Sequence, residues 1–306
     1  MGKVRFSGVL VPAITPFTAD YSIDIEKLYA LCRELLAQGA AGLAIFGTTS
    51  EANSISASAR MAAVDGLVAR GIPAAKLLPG VGACAIADVA QLIRHAASAG
   101  CGGVLMLPPF YYKAVNDDGL FAFVANVIER VPDAPSIYLY HIPPVAQVGF
   151  GLDLIDRLIT AFPGVVVGIK DSSGDQANTT AMIKRFPGFD VFAGSEVFLL
   201  ETLRQGGVGC ITATGSVNVP GIRAVLDNWQ SAQAQVLQDR ATLVRQTIQK
   251  FPMIPSVKAI VARATGEAGW KRVAPPLLAL DAETEARLFS ALSAIDFAPA
   301  QPVGAA

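Results

Sequence analysis

VVVGIKDSSGD, residues 165–175, carries an unbroken apolar run into a lysine and then turns at once through Asp, Ser, Ser and Gly. A short run without polar alternation reads as a parallel strand buried on both faces. Seven more such runs follow the same pattern: GVLVPAIT (8–15), GLAIFG (42–47), LLPGVG (77–82), GVLMLP (103–108), SIYLYH (136–141), DVFAG (190–194) and GVGCITA in the region 206–213. Between them lie stretches with apolar residues at helical spacing, at 23–39, 56–71, 87–100, 117–131, 152–162, 176–186 and 196–207. Most of them stop at or near a glycine, as helices do.

Strand-then-helix units in series give either a closed (β/α)8 barrel or an open doubly wound sheet. The regular spacing and the count of eight favour the barrel. No Gly-rich dinucleotide fingerprint follows the first strand, which weakens the open sheet. After about residue 220 the strands stop, and 221–250, 254–267 and 282–295 read as helices. The expected fold class is therefore α/β, a (β/α)8 TIM barrel over residues 1–229 with a C-terminal helical extension over 230–306 packed on it. The terminal PAQPVGAA (299–306) reads as a frayed tail.

Composition narrows the function. The 306 residues are 52% hydrophobic and only 16% charged, with a formal net charge of -1. That leaves ample core and little solvated surface, which suits a subunit that buries surface in an oligomer. No run of like charges points to nucleic acid or to an anionic membrane. The 4 cysteines (Cys32, Cys84, Cys101, Cys210) lack CxxC spacing and there are only 2 histidines, His95 and His141. This argues against a zinc centre and a disulfide framework; the cysteines read as core filler. Apolar runs break well before the roughly 20 residues a membrane span needs, and the first residues lack a signal-peptide pattern. The expectation is a cytoplasmic, soluble protein with no metal and no cofactor.

In a barrel of this kind the chemistry sits at the C-terminal ends of the strands. Those ends supply Gly47, Thr48, Thr49, Ser50 and Glu51; Tyr111 and Tyr112; Tyr140 and His141; Lys170; Gly194 and Ser195; and Ile211. Hydroxyls, phenols and one lysine converge, with neither a carboxylate cluster nor a Ser-His-Asp set. A buried lysine favours its neutral amine, which is a nucleophile towards ketones. Phenols and hydroxyls suit the proton transfers that imine chemistry needs. Threonines and backbone N–H groups in a Gly-containing turn can hold a carboxylate. Each residue alone has a plainer reading. Lys170 could be a charge reaching for solvent. Tyr140 could be a packed phenol, and Asp171 could simply tie down the turn.

Taken in order, GVLVPAITPF, GTTSE, GVGA, PPFYYK, YHIPP, GIKDSSGD, FAGSE and GCITATGS resemble the dihydrodipicolinate synthase / N-acetylneuraminate lyase superfamily. The resemblance implies class I, Schiff-base aldolase chemistry on pyruvate or a 2-keto-3-deoxy acid. Lys170 would form the imine, and Tyr140 and Thr48 would move protons. Thr48, Thr49 and Gly47 would bind the carboxylate, and the Ile211 carbonyl would face the substrate. A further relay tyrosine would reach in from a neighbouring subunit of a homotetramer, a dimer of dimers. Counting from the fourth strand makes it Tyr111; counting back from Gly119 makes it Tyr112; Tyr111 is preferred.

Three positions depart from the pattern. Ser50 stands where the turn usually has glycine, and His141 where Asn is usual. Val145 occupies the place of the arginine with which the synthases receive their aldehyde, and valine supplies no guanidinium. The resemblance therefore favours a lyase for deoxy keto acids or 4-hydroxy-2-oxoglutarate. A dihydrodipicolinate synthase condensing pyruvate with aspartate semialdehyde is one alternative, and a non-catalytic keto-acid binding protein is another.

Overall fold

The computed structural model describes residues 4–299, so all of the terminal tail beyond Pro299 lies outside the described residues. Seven strands form one parallel sheet: β1 Gly8–Val11, β2 Gly42–Leu43, β3 Gly103–Met106, β4 Ser136–His141, β5 Val166–Asp171, β6 Asp190–Ala193 and β7 Gly209–Ile211. Their order is β2-β1-β7-β6-β5-β4-β3, which leaves β2 and β3 at the two edges.

The segment expected as a strand at 77–82 closes that gap without forming a regular strand. Leu78 and Gly80 donate their N–H groups to Leu43 and Ile45 at 2.9 and 2.8 Å, and Val81 donates to Leu105 at 2.9 Å. Leu105 donates in return to the Pro79 carbonyl at 3.0 Å. Pro79 has no N–H to offer the ladder, and Phe46 takes a positive φ of 58° that bends the chain out of β2. These two features explain why the expected strand 42–47 shortens and why its neighbour pairs only by isolated bridges. The approach is close: a Cβ on Gly80 would lie 2.0 Å from the Phe46 carbonyl oxygen. Eight staves therefore close the barrel, as the sequence pattern requires.

The strands are buried on both faces. Leu10, Leu78, Leu105, Tyr138, Phe192 and Ile211 belong to the inner core. The outer layer comprises α1 Ile25–Ala37, α2 Ala57–Ala69, α3 Ile86–Ser98, α4 Asp117–Glu129, a short α5 Pro143–Ala146, α6 Leu152–Ala161, α7 Gln176–Arg185, α8 Leu199–Arg204 and α9 Gly215–Asp227. Asp24, Ser56 and Asn116 cap α1, α2 and α4 by accepting orphan backbone N–H groups.

Three more helices follow: α10 Ala234–Ile248, α11 Met253–Thr265 and α12 Ala282–Ser293. The single helical stretch expected at 221–250 is thus two helices, α9 and α10, separated by the loop 228–233. The stretch expected at 196–207 is a 3-10 turn, Glu196–Phe198, followed by the short α8. Polar contacts hold the extension to the barrel. Gln238 accepts from Leu200 N at 3.0 Å and donates to Glu196 O at 2.8 Å. Arg272 donates to Phe17 O at 2.6 Å. Cys32, Cys101 and Cys210 are buried, but Cys84 is exposed and is not core filler. Among the described residues, no helix is long and apolar enough to cross a membrane.

Candidate active site

At the C-terminal end of the strands a cleft of about 520 Å³ is lined by Thr48, Thr49, Tyr140, Lys170 and residues of several loops. The sheet register sets its centre, since Tyr140 of β4 is paired directly with Lys170 of β5. The Lys170 Nζ lies 4.1 Å from the centroid of the Tyr140 ring. The Tyr140 hydroxyl is 3.2 Å from Thr48 Oγ1, and either can donate. Lys170 and Tyr140 are 5% and 3% exposed. Among the described residues, no hydrogen-bond acceptor or carboxylate partners the Lys170 amine. A buried amine that lines a cleft without a counter-ion is not a charge reaching for solvent, and it is open to a ligand from the cleft side.

The obvious counter-ion is engaged elsewhere. Asp171 Oδ1 accepts from Ser173 N at 2.9 Å, and Oδ2 accepts from Asn178 and Thr179 at 3.1 and 2.7 Å. The DSSGD turn thus spends its carboxylate on its own shape. Gly194, at the end of β6, permits the close approach of this turn, since a Cβ there would sit 2.1 Å from Ser172 Oγ.

The GTTSE loop is anchored from both sides. Ser50 is fully buried and donates to Ala13 O at 2.6 Å, while its carbonyl accepts from Thr15 at 2.7 Å. Ser50 has no positive φ, so the serine is accommodated without strain and adds a bond. Glu51 does take a positive φ of 58°. Its carboxylate accepts from Ala274 N at 2.7 Å and pairs with the Lys258 ammonium of α11. The backbone N–H groups of Thr48 and Thr49 find no acceptor among the described residues. Two free N–H groups beside two hydroxyls, on a pinned loop, can receive a carboxylate.

Other residues singled out in the sequence sit outside this constellation. Gly47 opens the turn, its carbonyl accepting from Ala52 N at 3.2 Å, but it does not line the cleft. Ile211 is wholly buried in the barrel interior; Ala213, two residues on, lines the cleft instead. Tyr111 and Tyr112 pack edge to face, 5.3 Å between ring centroids, and are 73% and 72% exposed outside the cleft. His141 does not line the cleft, and its Nδ1 accepts from Phe150 N at 2.9 Å. Burial pushes its pKa down, with Asp171 opposing in part. Val145 lines the cleft and is apolar there.

Reasoning from strand ends missed the far wall. Arg245, Gln246, Gln249, Met253 and Ile254 line the cleft from α10 and α11. Arg245 donates to Thr212 Oγ1 and Gln249 Oε1, each at 3.2 Å, and lies 3.6 Å from the buried Glu196 carboxylate. The hydroxyls of Thr212 and Thr214 also donate to Glu196. Among the described residues, no group of three or more His, Cys, Asp or Glu side chains is placed to hold a metal ion.

Residues 5–295 match the Dihydrodipicolinate synthetase family. An uncharacterized DapA-like lyase of Chloroflexus aurantiacus is 31% identical over 94% of this chain and 96% of its own length. The crystal structure of dihydrodipicolinate synthase from Agrobacterium tumefaciens superposes with a TM-score of 0.89 at 33% identity, covering 95% of this chain and all of that one. A prophage protein of the dihydrodipicolinic acid synthase family from E. coli, solved in complex with pyruvate, superposes at 0.86 with 26% identity over 95% of this chain and 98% of its own. The chain is a class I aldolase/lyase and belongs to the dihydrodipicolinate synthetase family.

Proposed function

We propose that this protein makes or breaks a carbon–carbon bond of a 2-oxo acid, or expels water from it, through an imine on Lys170. The observation that carries this reading is the Lys170 amine itself. It is buried on the Tyr140 face, has no counter-ion among the described residues, and opens into the cleft. The pyruvate complex of the E. coli relative supports a ligand of the same kind.

The steps follow from the groups present. The neutral Lys170 amine attacks C2 of the keto acid, and water leaves as the imine forms. The protonated imine is an electron sink. In cleavage the C4 hydroxyl loses its proton, the C3–C4 bond breaks, and its electron pair forms an enamine. C4 departs as an aldehyde, C3 takes a proton, and hydrolysis returns pyruvate and the free amine. In dehydration C3 loses a proton and the C4 hydroxyl leaves as water. Tyr140 and Thr48, joined at 3.2 Å, move the protons. The N–H groups and hydroxyls of Thr48 and Thr49 hold the C1 carboxylate. Gly47 opens the turn that presents them, and the Ile211 carbonyl faces the bound keto acid.

Tyr111 completes the relay from a neighbouring subunit of a homotetramer. Its exposure supports this, because a phenol left outside its own cleft is free to enter another. Deoxy keto acids and 4-hydroxy-2-oxoglutarate are the substrates this reading favours. A second reading, condensation of pyruvate with aspartate semialdehyde, has one observation behind it. A cation does line the cleft, as Arg245 rather than at position 145. Product formation from those two substrates separates the readings.

The test of the imine is borohydride reduction in the presence of pyruvate, followed by peptide mass analysis. A reduced adduct on Lys170 is expected. A folded protein that gives no adduct, while a trapping relative does so in parallel, removes the mechanism.

A further inference from the structure

The cleft contains a cation that the imine chemistry does not use. Arg245 lies on α10, outside the barrel strands, yet lines the same cavity as Lys170. It is held rather than loose. Its Nη1 donates to Thr212 at 3.2 Å, its Nε donates to Gln249 at 3.2 Å, and its side chain is only 16% exposed. Nη2 has no acceptor among the described residues. A guanidinium tethered on two nitrogens and free on the third is prearranged to donate to one more group.

The charge of that group follows from the surroundings. Arg245 is cationic, the Lys170 imine gains a positive charge when it is protonated, and Asp171, the one carboxylate lining the cleft among the described residues, is saturated by Ser173, Asn178 and Thr179. The cleft as a whole therefore favours an anion beyond the C1 carboxylate. Glu196 limits how much charge is welcome. Its carboxylate lies 3.6 Å from Nη1 and is fully buried, so it already offsets part of the guanidinium charge. A phosphate dianion at Nη2 would meet repulsion from Glu196 and find too few donors. A single carboxylate matches both the charge and the one free donor arm.

We propose that Arg245 is the specificity residue of this site and binds a carboxylate on the aldehyde half of the substrate. The preferred substrates are then 2-oxo acids that bear a second carboxylate at the far end. This assignment rests on the imine reading of Lys170. It also explains how the cleft can dispense with an arginine at position 145. The cation arrives from the extension, where its partner Glu196 and the Thr212 and Thr214 hydroxyls fix it.

The experiment compares two substrates that differ at one carbon: 4-hydroxy-2-oxoglutarate, ending in a carboxylate, and 4,5-dihydroxy-2-oxopentanoate, ending in a hydroxymethyl group. The unaltered protein should cleave the diacid with the higher kcat/KM. Arg245→Met should lower kcat/KM for the diacid by roughly 10- to 100-fold, mainly through KM, the scale of one charged hydrogen bond. The hydroxymethyl compound should change by less than about 3-fold. Arg245→Lys keeps a cation beside Glu196 and carries the same test if the Met variant does not fold. It should lose the diacid selectively by roughly 3- to 10-fold, since a lysine lacks the fork. Equal losses for both substrates, no loss for either, or a preference of the unaltered protein for the hydroxymethyl compound overturns the assignment. Borohydride trapping with pyruvate separates the two layers. An adduct with no substrate split removes Arg245 alone, whereas no adduct removes the imine and this assignment together. Pyruvate with glyoxylate or with aspartate semialdehyde, run in the synthetic direction, then shows which carboxylate-bearing aldehyde the site takes.

Discussion

Lys170 and Lys258 are both buried lysines seated on an aromatic face. They lie 4.1 Å from the Tyr140 ring centroid and 4.4 Å from that of Phe17. Their solvent exposures are 5% and 0%. What separates them is everything else around the nitrogen. Lys258 pairs with Glu51 and donates to the Arg272 carbonyl at 2.6 Å. Burial draws its pKa down and Glu51 opposes. Lys170 has neither an anion nor an acceptor among the described residues, and it lines a cleft. Burial alone does not make a lysine reactive. A partnered buried lysine is a rivet, whereas an unpartnered one at a cavity is free to act as the reagent proposed above.

The sharpest way to break that comparison is to delete each amine in turn. Lys170→Ala should lower turnover by about 10⁴-fold or more, the scale seen when a nucleophile is removed. Thermal stability should be unchanged or higher, because an unpaired buried amine is lost. Steady-state rates with a calorimetric scan check both. Full turnover in this variant sinks the mechanism. Tyr140→Phe should come next. It keeps the ring under Lys170 but removes the hydroxyl beside Thr48, lowering turnover by roughly 10²- to 10⁴-fold. Pyruvate trapping should persist, more slowly. A change below a few-fold would mean that another group carries the proton.

Lys258→Met should do the opposite. It leaves Glu51 buried without its cation and should cost about 3–5 kcal/mol of stability. Urea unfolding reads this directly. The double variant Glu51→Gln with Lys258→Met should recover part of the loss, because the stranded charge has gone too. The coupling also ties the extension to the site, since Glu51 lies two residues after Thr49. If the single variant unfolds no more easily than the unaltered protein, Lys258 is no rivet.

The same contrast runs along β4 in two tyrosines. Tyr138 and Tyr140 both belong to the inner core, two residues apart. The Tyr138 hydroxyl accepts from Phe6 N at 2.8 Å and donates to Asp190 at 3.1 Å, and Arg5 closes the network on Asp190. Burial pushes its pKa well up. Its hydroxyl is fully used at the closed end of the barrel, whereas Tyr140 keeps one partner at the open end. Tyr138→Phe should therefore lower stability by about 1–3 kcal/mol through the orphaned Phe6 N–H and Asp190. Turnover per folded molecule should stay within a few-fold. A large loss of turnover without a loss of stability would contradict this division.

These pairs also show what the sequence could and could not disclose. Strand-end reasoning reaches Thr48, Tyr140 and Lys170, because parallel register alone decides which residues meet at the barrel mouth. It places the eighth stave too, although Pro79 and Phe46 keep that stave from becoming a regular strand. It cannot rank Tyr138 against Tyr140 on period-2 alternation, because both point inward; only their long-range partners differ. Arg245 was out of reach for a different reason. A helix after the last strand carries no local sign of which barrel face it folds against. That choice is made by contacts such as Gln238 with Leu200 and Lys258 with Glu51, more than 30 residues apart in sequence. The Ile211 side chain fills the interior, so only its carbonyl is left to face a substrate, and Ala213 lines the cleft two residues beyond the end of β7.

The smallest expected effect concerns His141, whose imidazole replaces the usual Asn beside the site. Its Nδ1 accepts from Phe150 N at 2.9 Å, so the neutral form holds the chain at residue 150 in place. A proton on Nδ1 would end that bond. Burial sets the native pKa below the ordinary value of 6.5. The unfolded chain therefore takes up this proton first as pH falls. The stability that His141 contributes is fully present above about pH 6.5 and is lost as pH drops from there through the native value. The slope cannot exceed about 1.4 kcal/mol per pH unit for one proton. Unfolding by urea between pH 5 and 8, for the unaltered protein and for His141→Asn, isolates the term. Asn can accept from Phe150 N without titrating, so the difference between the two curves should be flat above about pH 7. Below that it should move steadily against the histidine form. Parallel curves throughout would mean that the imidazole bears its proton equally in both states, and that the Phe150 bond does not govern its charge.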